Sequence, residues 1–186
     1  MRIIAGEAKG RTLYAPSGQQ TRPTSDKIRG SMFNILASRI QRARVLDLFG
    51  GTGALAPEAL SRGAEFAVIA DSSRVAIQAI ERNARSVLKA DFDARVRIVR
   101  GDYRSTLAQL EETAFDLVFL DPPYRMLEAY GDALSRLQAA GNLAQGCTIV
   151  LERQKSAQVP LPDCFSAADT RFYGDTAVDF VFVRNT

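Results

Sequence analysis

Val45-Leu46-Asp47-Leu48-Phe49-Gly50-Gly51-Thr52-Gly53 is the stretch whose reading decides the fold. Its first five residues, Val45–Phe49, are mostly apolar and make a strand that both faces of a sheet can bury. The glycines then let the backbone reverse with no Cβ in the way. A helix over Ala54–Arg62 follows, with Pro57 in its first turns, where a missing N–H matters least, and Gly63 as its stop. The same strand–turn–helix unit recurs downstream. Strands over Phe66–Ala70, Val96–Val99, Phe115–Leu120 and Thr148–Leu151 alternate with helices over Arg74–Leu88, Ser105–Glu112 and Leu127–Ala139. This alternation predicts an α/β fold with a doubly wound, mainly parallel sheet covered on both faces. The end of the chain breaks the pattern. Thr170–Tyr173 and Ala177–Val183 flank Gly174-Asp175, which predicts a C-terminal antiparallel hairpin.

Upstream, Arg2–Ala5 and Arg11–Tyr14 read as two short strands around a turn from Gly6 to Gly10. A loop of turn formers runs from Ala15 to Thr24. Thr24 or Ser25 caps a helix to about Ile40, with Ile28, Met32, Ile35 and Leu36 as its apolar stripe. The chain thus divides into an N-terminal β-hairpin and helix extension over 1–40 and an α/β domain over 41–186.

The composition is that of a globular protein: 186 residues, 46% hydrophobic, net charge +3. There is no histidine. That excludes Ser-His-Asp and Cys-His nucleophiles and every histidine-bearing metal site. Two cysteines, Cys147 and Cys164, are too few for a cysteine-only metal site and suit a reduced, cytoplasmic protein. No apolar run is long enough to span a membrane, and no signal-peptide pattern follows Met1. The small net charge hides an asymmetry. Residues 1–44 hold nine basic and two acidic side chains, while the other 142 hold 15 basic and 19 acidic. A basic segment on a mildly acidic body is the pattern of a polyanion-binding arm, or simply of a solvated basic surface.

In a doubly wound sheet, ligands bind outside the carboxyl ends of the strands. Four of the five strands end in or lead to an acid there: Asp47, Asp71, Asp102 and Asp121. The plain alternative for each is the cap of the next helix. The Gly51-Thr52-Gly53 turn lacks the third glycine of a pyrophosphate-binding loop, and Asp47 would repel a pyrophosphate. A carboxylate at that place suits an ammonium, and S-adenosylmethionine carries both an ammonium and a sulfonium. Asp71, 24 residues after Asp47, then fits a ribose-hydroxyl acceptor, and Asp102 an acceptor for the adenine amine.

Phe115-Asp-Leu-Val-Phe-Leu-Asp-Pro-Pro-Tyr124 carries the chemistry. Pro122 and Pro123 remove two backbone donors and leave carbonyls as acceptors. Asp121 and the Pro122 carbonyl make a pair of acceptors, and Tyr124 adds an aromatic face. Such a set suits a planar base with an exocyclic NH2. Binding both amine hydrogens steers the nitrogen lone pair toward an electrophile and stabilises the positive charge that develops, with no strong base needed.

Asp-Pro-Pro-Tyr after a buried strand, with the upstream Asp-x-x-x-Gly-x-Gly loop, resembles Rossmann-like class I methyltransferases that modify exocyclic amines. Arg2-Ile-Ile-Ala-Gly, Lys9-Gly-Arg11, Thr21-Arg-Pro-Thr24, Phe33-Asn-Ile-Leu36, Glu58-Ala-Leu-Ser-Arg-Gly-Ala64 and Tyr173-Gly-Asp-Thr176 narrow the likeness to the RsmD family. These are bacterial 16S rRNA guanine-N2 methyltransferases acting at guanine 966. Gly50 and Thr52 stand where that family usually has Ala and Ser, and Asp71 where it usually has Glu.

The resemblance implies S-adenosylmethionine at Asp47, Gly51, Gly53, Asp71, Asp102 and Asp121, and catalysis by Asp121, Pro122, Pro123 and Tyr124. It places the basic extension, with Arg2, Lys9, Arg11, Arg22, Lys27 and Arg29, against 16S rRNA in a 30S subunit or its assembly intermediate. No metal and no membrane is expected, and the protein is expected to act as a monomer. Two other readings are a DNA adenine-N6 methyltransferase, which would use the same acceptors, and a nucleic-acid-binding module without catalysis.

Overall fold

The computed structural model describes residues 1–16, 25–110 and 113–184. Seven strands form a single sheet in the order β3-β2-β1-β4-β5-β7-β6. β1 (Arg44–Asp47), β2 (Phe66–Asp71), β3 (Val96–Arg100), β4 (Phe115–Leu120) and β5 (Leu143–Gln154) are parallel. β7 (Thr176–Val183) runs antiparallel between β5 and β6 (Phe165–Tyr173). The strand order reverses between β1 and β4, and the loops that leave those two strands open the crevice where a doubly wound sheet takes its ligand.

Each face of the sheet has its own core. Val45, Leu117, Phe119, Val150, Val178 and Phe180 point to one side, against α1 (Asp26–Ile35), α3 (Leu55–Ser61) and α4 (Arg74–Leu88). Leu46, Val118, Leu120, Ile149, Leu151 and Val181 point to the other, where α6 (Tyr103–Leu107) and α7 (Glu128–Ala139) lie. The alternation is the period of two that a strand imposes on its side chains. No helix among the described residues is long and apolar enough to cross a membrane.

The extension is built into the first core. Its hairpin is a single antiparallel bridge, Arg2 to Thr12, that buries Ile3 and Leu13. Gly6 turns the chain against α3 with φ +83°. A Cβ there would meet the Ser61 carbonyl oxygen at 1.8 Å, so only glycine fits. Ser61 accepts from Ala8 N–H and donates to the Ala5 carbonyl, and its own carbonyl accepts from Glu7 N–H. Glu58, fully buried on α3, accepts from the N–H groups of Ile4 (2.7 Å) and Ala5 (3.1 Å) and from Arg62 Nε (2.7 Å).

Several expected boundaries move, and one short helix is added. Ser25 caps α1, which ends at Ile35. A turn at Leu36 leads into the short α2 (Ala37–Ile40), so Ile35 is exposed and Phe33 takes its place in the core. Asp102 caps α6, so that helix starts at Tyr103 rather than Ser105. The chain turns at Lys89, φ +54°, into a 3-10 turn and α5 (Phe92–Arg95), where no helix was expected. β5 extends three residues beyond the expected Leu151, because Glu152, Arg153 and Gln154 pair with Val178, Ala177 and Thr176 of β7. Arg22, Thr24, and Glu111 and Glu112 of the expected third helix lie outside the described residues.

Candidate active site

The sheet order lines up five acids along the carboxyl rim: Asp102, Asp71, Asp47, Asp121 and Glu152, one at or just beyond each of β3, β2, β1 and β4, and the last inside β5. They are not alike. Asp102 is exposed and serves as a helix cap, its Oδ1 accepting from Arg104 N–H (2.9 Å) and Ser105 N–H (3.1 Å). Those bonds, that from Ser105 N–H first, hold its carboxyl below the usual range.

Asp71 organises the glycine turn. Its Oδ2 accepts from Gly51 N–H (3.0 Å) and its Oδ1 from Ser73 N–H (2.8 Å). Gly53 has φ +69°, and a Cβ there would press on Ile80 Cα at 3.0 Å, so the turn sits tightly on α4. Asn83, buried mid-way along α4, donates to the carbonyls of Thr52 and Tyr14 (both 2.8 Å) and accepts from Tyr14 N–H (2.7 Å). One amide thereby ties the glycine turn to the end of the N-terminal hairpin. A buried Asn breaking the apolar stripe of α4 was the available sign of this role.

Asp47 is 2% exposed and lies at the start of α3, where its Oδ2 accepts from Ala56 N–H at 3.4 Å. No side chain caps that helix at Ala54, so Asp47 faces its positive end. Burial pushes the Asp47 carboxyl up to about 7, against the Ala56 bond and with the charge of Asp71 adding to the rise. Asp121 follows β4 and is pushed well above the usual carboxylate range, by burial first and then by the charges of Glu152 and Asp47.

Pro122 is buried, while Pro123 and Tyr124 are exposed. The Pro123 carbonyl accepts from Met126 N–H (2.8 Å), which closes a turn after the two prolines. On the far side of the sheet, Tyr130 donates its hydroxyl to the Glu152 carbonyl at 2.5 Å. Glu152 itself was not foreseen, because a polar Glu-Arg-Gln run carries no strand signal. Among the described residues no group of three or more cysteines and acids is placed to hold a metal.

Of the basic residues expected to meet RNA, Arg2, Lys9, Arg11 and Lys27 are exposed, and Arg2 and Lys9 line a groove of about 400 Å³ with Gly10 and Asp26. Arg22 lies outside the described residues. Arg29 is a correction. It is fully buried, pairs with Asp26 at 3.0 Å and with Glu58 at 3.8 Å, and donates to the Arg2 carbonyl. A guanidinium held there props the extension on α1 and is out of reach of a nucleic acid.

A seven-stranded sheet in this order, with a glycine turn after β1 and an Asp-Pro-Pro-Tyr loop after β4, defines a class I S-adenosylmethionine-dependent methyltransferase. Comparison with known proteins narrows the class. The family model described as Conserved hypothetical protein 95 matches residues 1–182, and the chain belongs to that family, the RsmD family. It is 38% identical over 162 residues to ribosomal RNA small subunit methyltransferase D of Escherichia coli K12, covering 86% of this chain and 78% of that one. The Haemophilus influenzae protein of the same name is 30% identical over 163 residues, covering 88% and 83%. The solved structure of Escherichia coli yhhF superposes with a TM-score of 0.86 at 32% identity, covering 100% of this chain and 99% of that one.

Proposed function

We propose that this protein methylates the exocyclic N2 of a guanine in 16S rRNA, at the position corresponding to guanine 966, using S-adenosylmethionine. The observation that carries the reading is the placement of Asp121 and the two prolines after it beside the strand-order reversal, with Asp121 within reach of the charge of the buried Asp47. The names of the relatives supply the rRNA.

The residues present fit the cofactor. Asp47 is a buried carboxyl with its pKa raised, so a neighbouring ammonium would restore its charge. Asp71 has both oxygens on main-chain donors, and each oxygen retains capacity for a ribose hydroxyl. Gly51 and Gly53 leave the turn without a side chain at those two positions. Asp102, as an exposed cap, is the weakest of the cofactor contacts. When bound, S-adenosylmethionine supplies an electrophilic methyl group on its sulfonium.

Asp121 and the Pro122 carbonyl each accept one amine hydrogen of the base. The nitrogen lone pair is then the only direction left open, and Tyr124 lies flat against the ring. S-adenosylmethionine held by Asp47, Asp71, Gly51 and Gly53 would supply the methyl group toward which this lone pair is turned. The positive charge that appears on nitrogen faces the Asp121 carboxyl, and the amine proton leaves afterwards. Arg2, Lys9, Arg11 and Lys27 hold the RNA by its phosphates. The substrate is a 30S subunit or assembly intermediate, and the protein acts as a cytoplasmic monomer. Mass mapping of rRNA from cells lacking this protein tests the reading. One unmethylated guanine at position 966 is expected, and full methylation there would overturn it.

A further inference from the structure

The N-terminal hairpin is held on the domain by two different helices. Its first strand and turn are bonded to α3, where Ile4 and Ala5 donate to Glu58 and Ala8 donates to Ser61. Its second strand ends on α4. Tyr14 gives its N–H to Asn83 Oδ1 (2.7 Å) and takes Asn83 Nδ2 on its carbonyl (2.8 Å). The guanidinium of Arg82, the preceding residue of α4, lies 4.2 Å from the centre of the Tyr14 ring. Asn83 Nδ2 also donates to the Thr52 carbonyl (2.8 Å), inside the glycine turn. Both N–H groups and the oxygen of this one amide are thus committed. Asn83 is 1% exposed, so a partner that moves away leaves a buried donor or acceptor where solvent does not reach. The turn is set from its other side by Gly50 N–H on the Ala70 carbonyl (2.8 Å) and Gly51 N–H on Asp71. A displacement of Thr52 and a displacement of Tyr14 therefore break bonds to the same amide, although the two segments are far apart in the chain.

We infer that Asn83 is a positioning residue that joins cofactor binding at the glycine turn to the seating of the basic hairpin, so that each favours the other. The cofactor at Gly51 and Gly53 and the RNA on the hairpin are those of the reading above, on which this inference rests. Arg2, Lys9 and Arg11 stand exposed on the hairpin. A cofactor that settles the turn holds the Asn83 clasp closed, and the closed clasp presents those cations in a fixed array. Phosphates gripped by the hairpin keep the clasp closed in turn, because coupling between two ligands is reciprocal. An enzyme charged with cofactor then holds RNA more tightly than an empty one.

Amide hydrogen exchange on the protein alone is the direct test. S-adenosylhomocysteine is the probe, since it fills the cofactor site without the sulfonium charge that would attract RNA by itself. Where the site is whole only with the clasp closed, ligand slows exchange at Tyr14 N–H by up to about 100-fold at 100 times its Kd. Slowing of about tenfold or more is expected at Tyr14, with little change at Ile4 and Ala5 on α3. An unchanged Tyr14 rate overturns the inference without any variant having to fold. Equal slowing at all three amides, the mark of general stabilisation, overturns it too. In Asn83→Ala, Tyr14 should exchange at least about tenfold faster than in wild type and no longer respond to ligand. A folded N83A protein that still responds places the coupling elsewhere and sinks the proposal. Titration then brings in the RNA. Unmethylated 30S particles should tighten S-adenosylhomocysteine binding about fivefold or more in wild type and leave it unchanged in N83A. Exchange coupling without that tightening would support the clasp and count instead against the functional reading of the hairpin.

Discussion

Asp102 and Asp121 occupy equivalent places, each just past the end of a parallel strand, and the sequence pattern treats them alike. The fold does not. Asp102 lies at the outer edge of the sheet, exposed, with backbone and hydroxyl donors of the next helix turned onto it, and its acidity is strengthened. Asp121 lies near the middle, hemmed in by Asp47 and Glu152, and its acidity is weakened. The contrast teaches that a carboxylate at a strand end is a cap where the sheet leaves it in water, and a weakened acid where neighbouring strands crowd it with burial and like charge.

The largest test of this contrast is Asp121→Ala. Methyl transfer should fall about a thousandfold, while S-adenosylmethionine affinity by calorimetry moves only a few-fold, since removing one preorganised acceptor acts on the transition state. A variant that keeps near wild-type turnover would place the chemistry elsewhere on the rim.

Glu58 sharpens the comparison as a buried acid of the opposite kind, one met by donors from Ile4, Ala5 and Arg62. Glu58→Ala leaves the buried Arg29 with Asp26 as its one carboxylate partner and frees the hairpin. It should lower unfolding free energy by about 3 kcal/mol or more in urea titration.

Asp47 makes the contrast visible in pH. Its carboxyl is raised by burial to about 7, so the neutral form favours the unliganded fold, and that contribution is lost as pH rises through about 7. Binding an ammonium demands the ionised form, so the dependence of affinity runs the other way. The Kd for S-adenosylmethionine should rise up to about tenfold per pH unit below about 7 and level off above it. In Asp47→Asn the affinity should be weak and flat with pH.

Neutralising the exposed Lys9 and Arg11 should reduce the slope of log affinity for rRNA against log salt by about two, with cofactor binding untouched. Asp102→Ala closes the series with the smallest effect. It removes one exposed cap, so the melting temperature should drop by about 2–4 °C and turnover should stay within a few-fold of wild type.

Much of this was legible before folding. The apolar runs at Phe66–Ala70 and Phe115–Leu120 and the stripe over Arg74–Leu88 fixed their elements to within a residue, because their burial pattern is written in local periodicity. The acids and glycines of the rim followed from topology, since strand ends in a doubly wound sheet share one edge. What stayed hidden depended on partners distant in sequence. Glu152 is in a strand only because β7, more than 20 residues on, continues the ladder past Leu151. Arg29 looked like one more cation in a basic arm, and Glu58, 29 residues away, turns it inward. Asn83 became a clasp only when Tyr14 arrived beside it.

The sequence by itself determined the strand–helix alternation, the glycine turn, the Asp-Pro-Pro-Tyr loop and the family, all of which are carried by residues close together in the chain. The tertiary structure alone decided which acids are buried, which cation faces water, and that a fifth acid joins the rim beside Asp121. Those are questions of desolvation and cross-strand register, and both arise only when segments far apart in sequence are packed against one another.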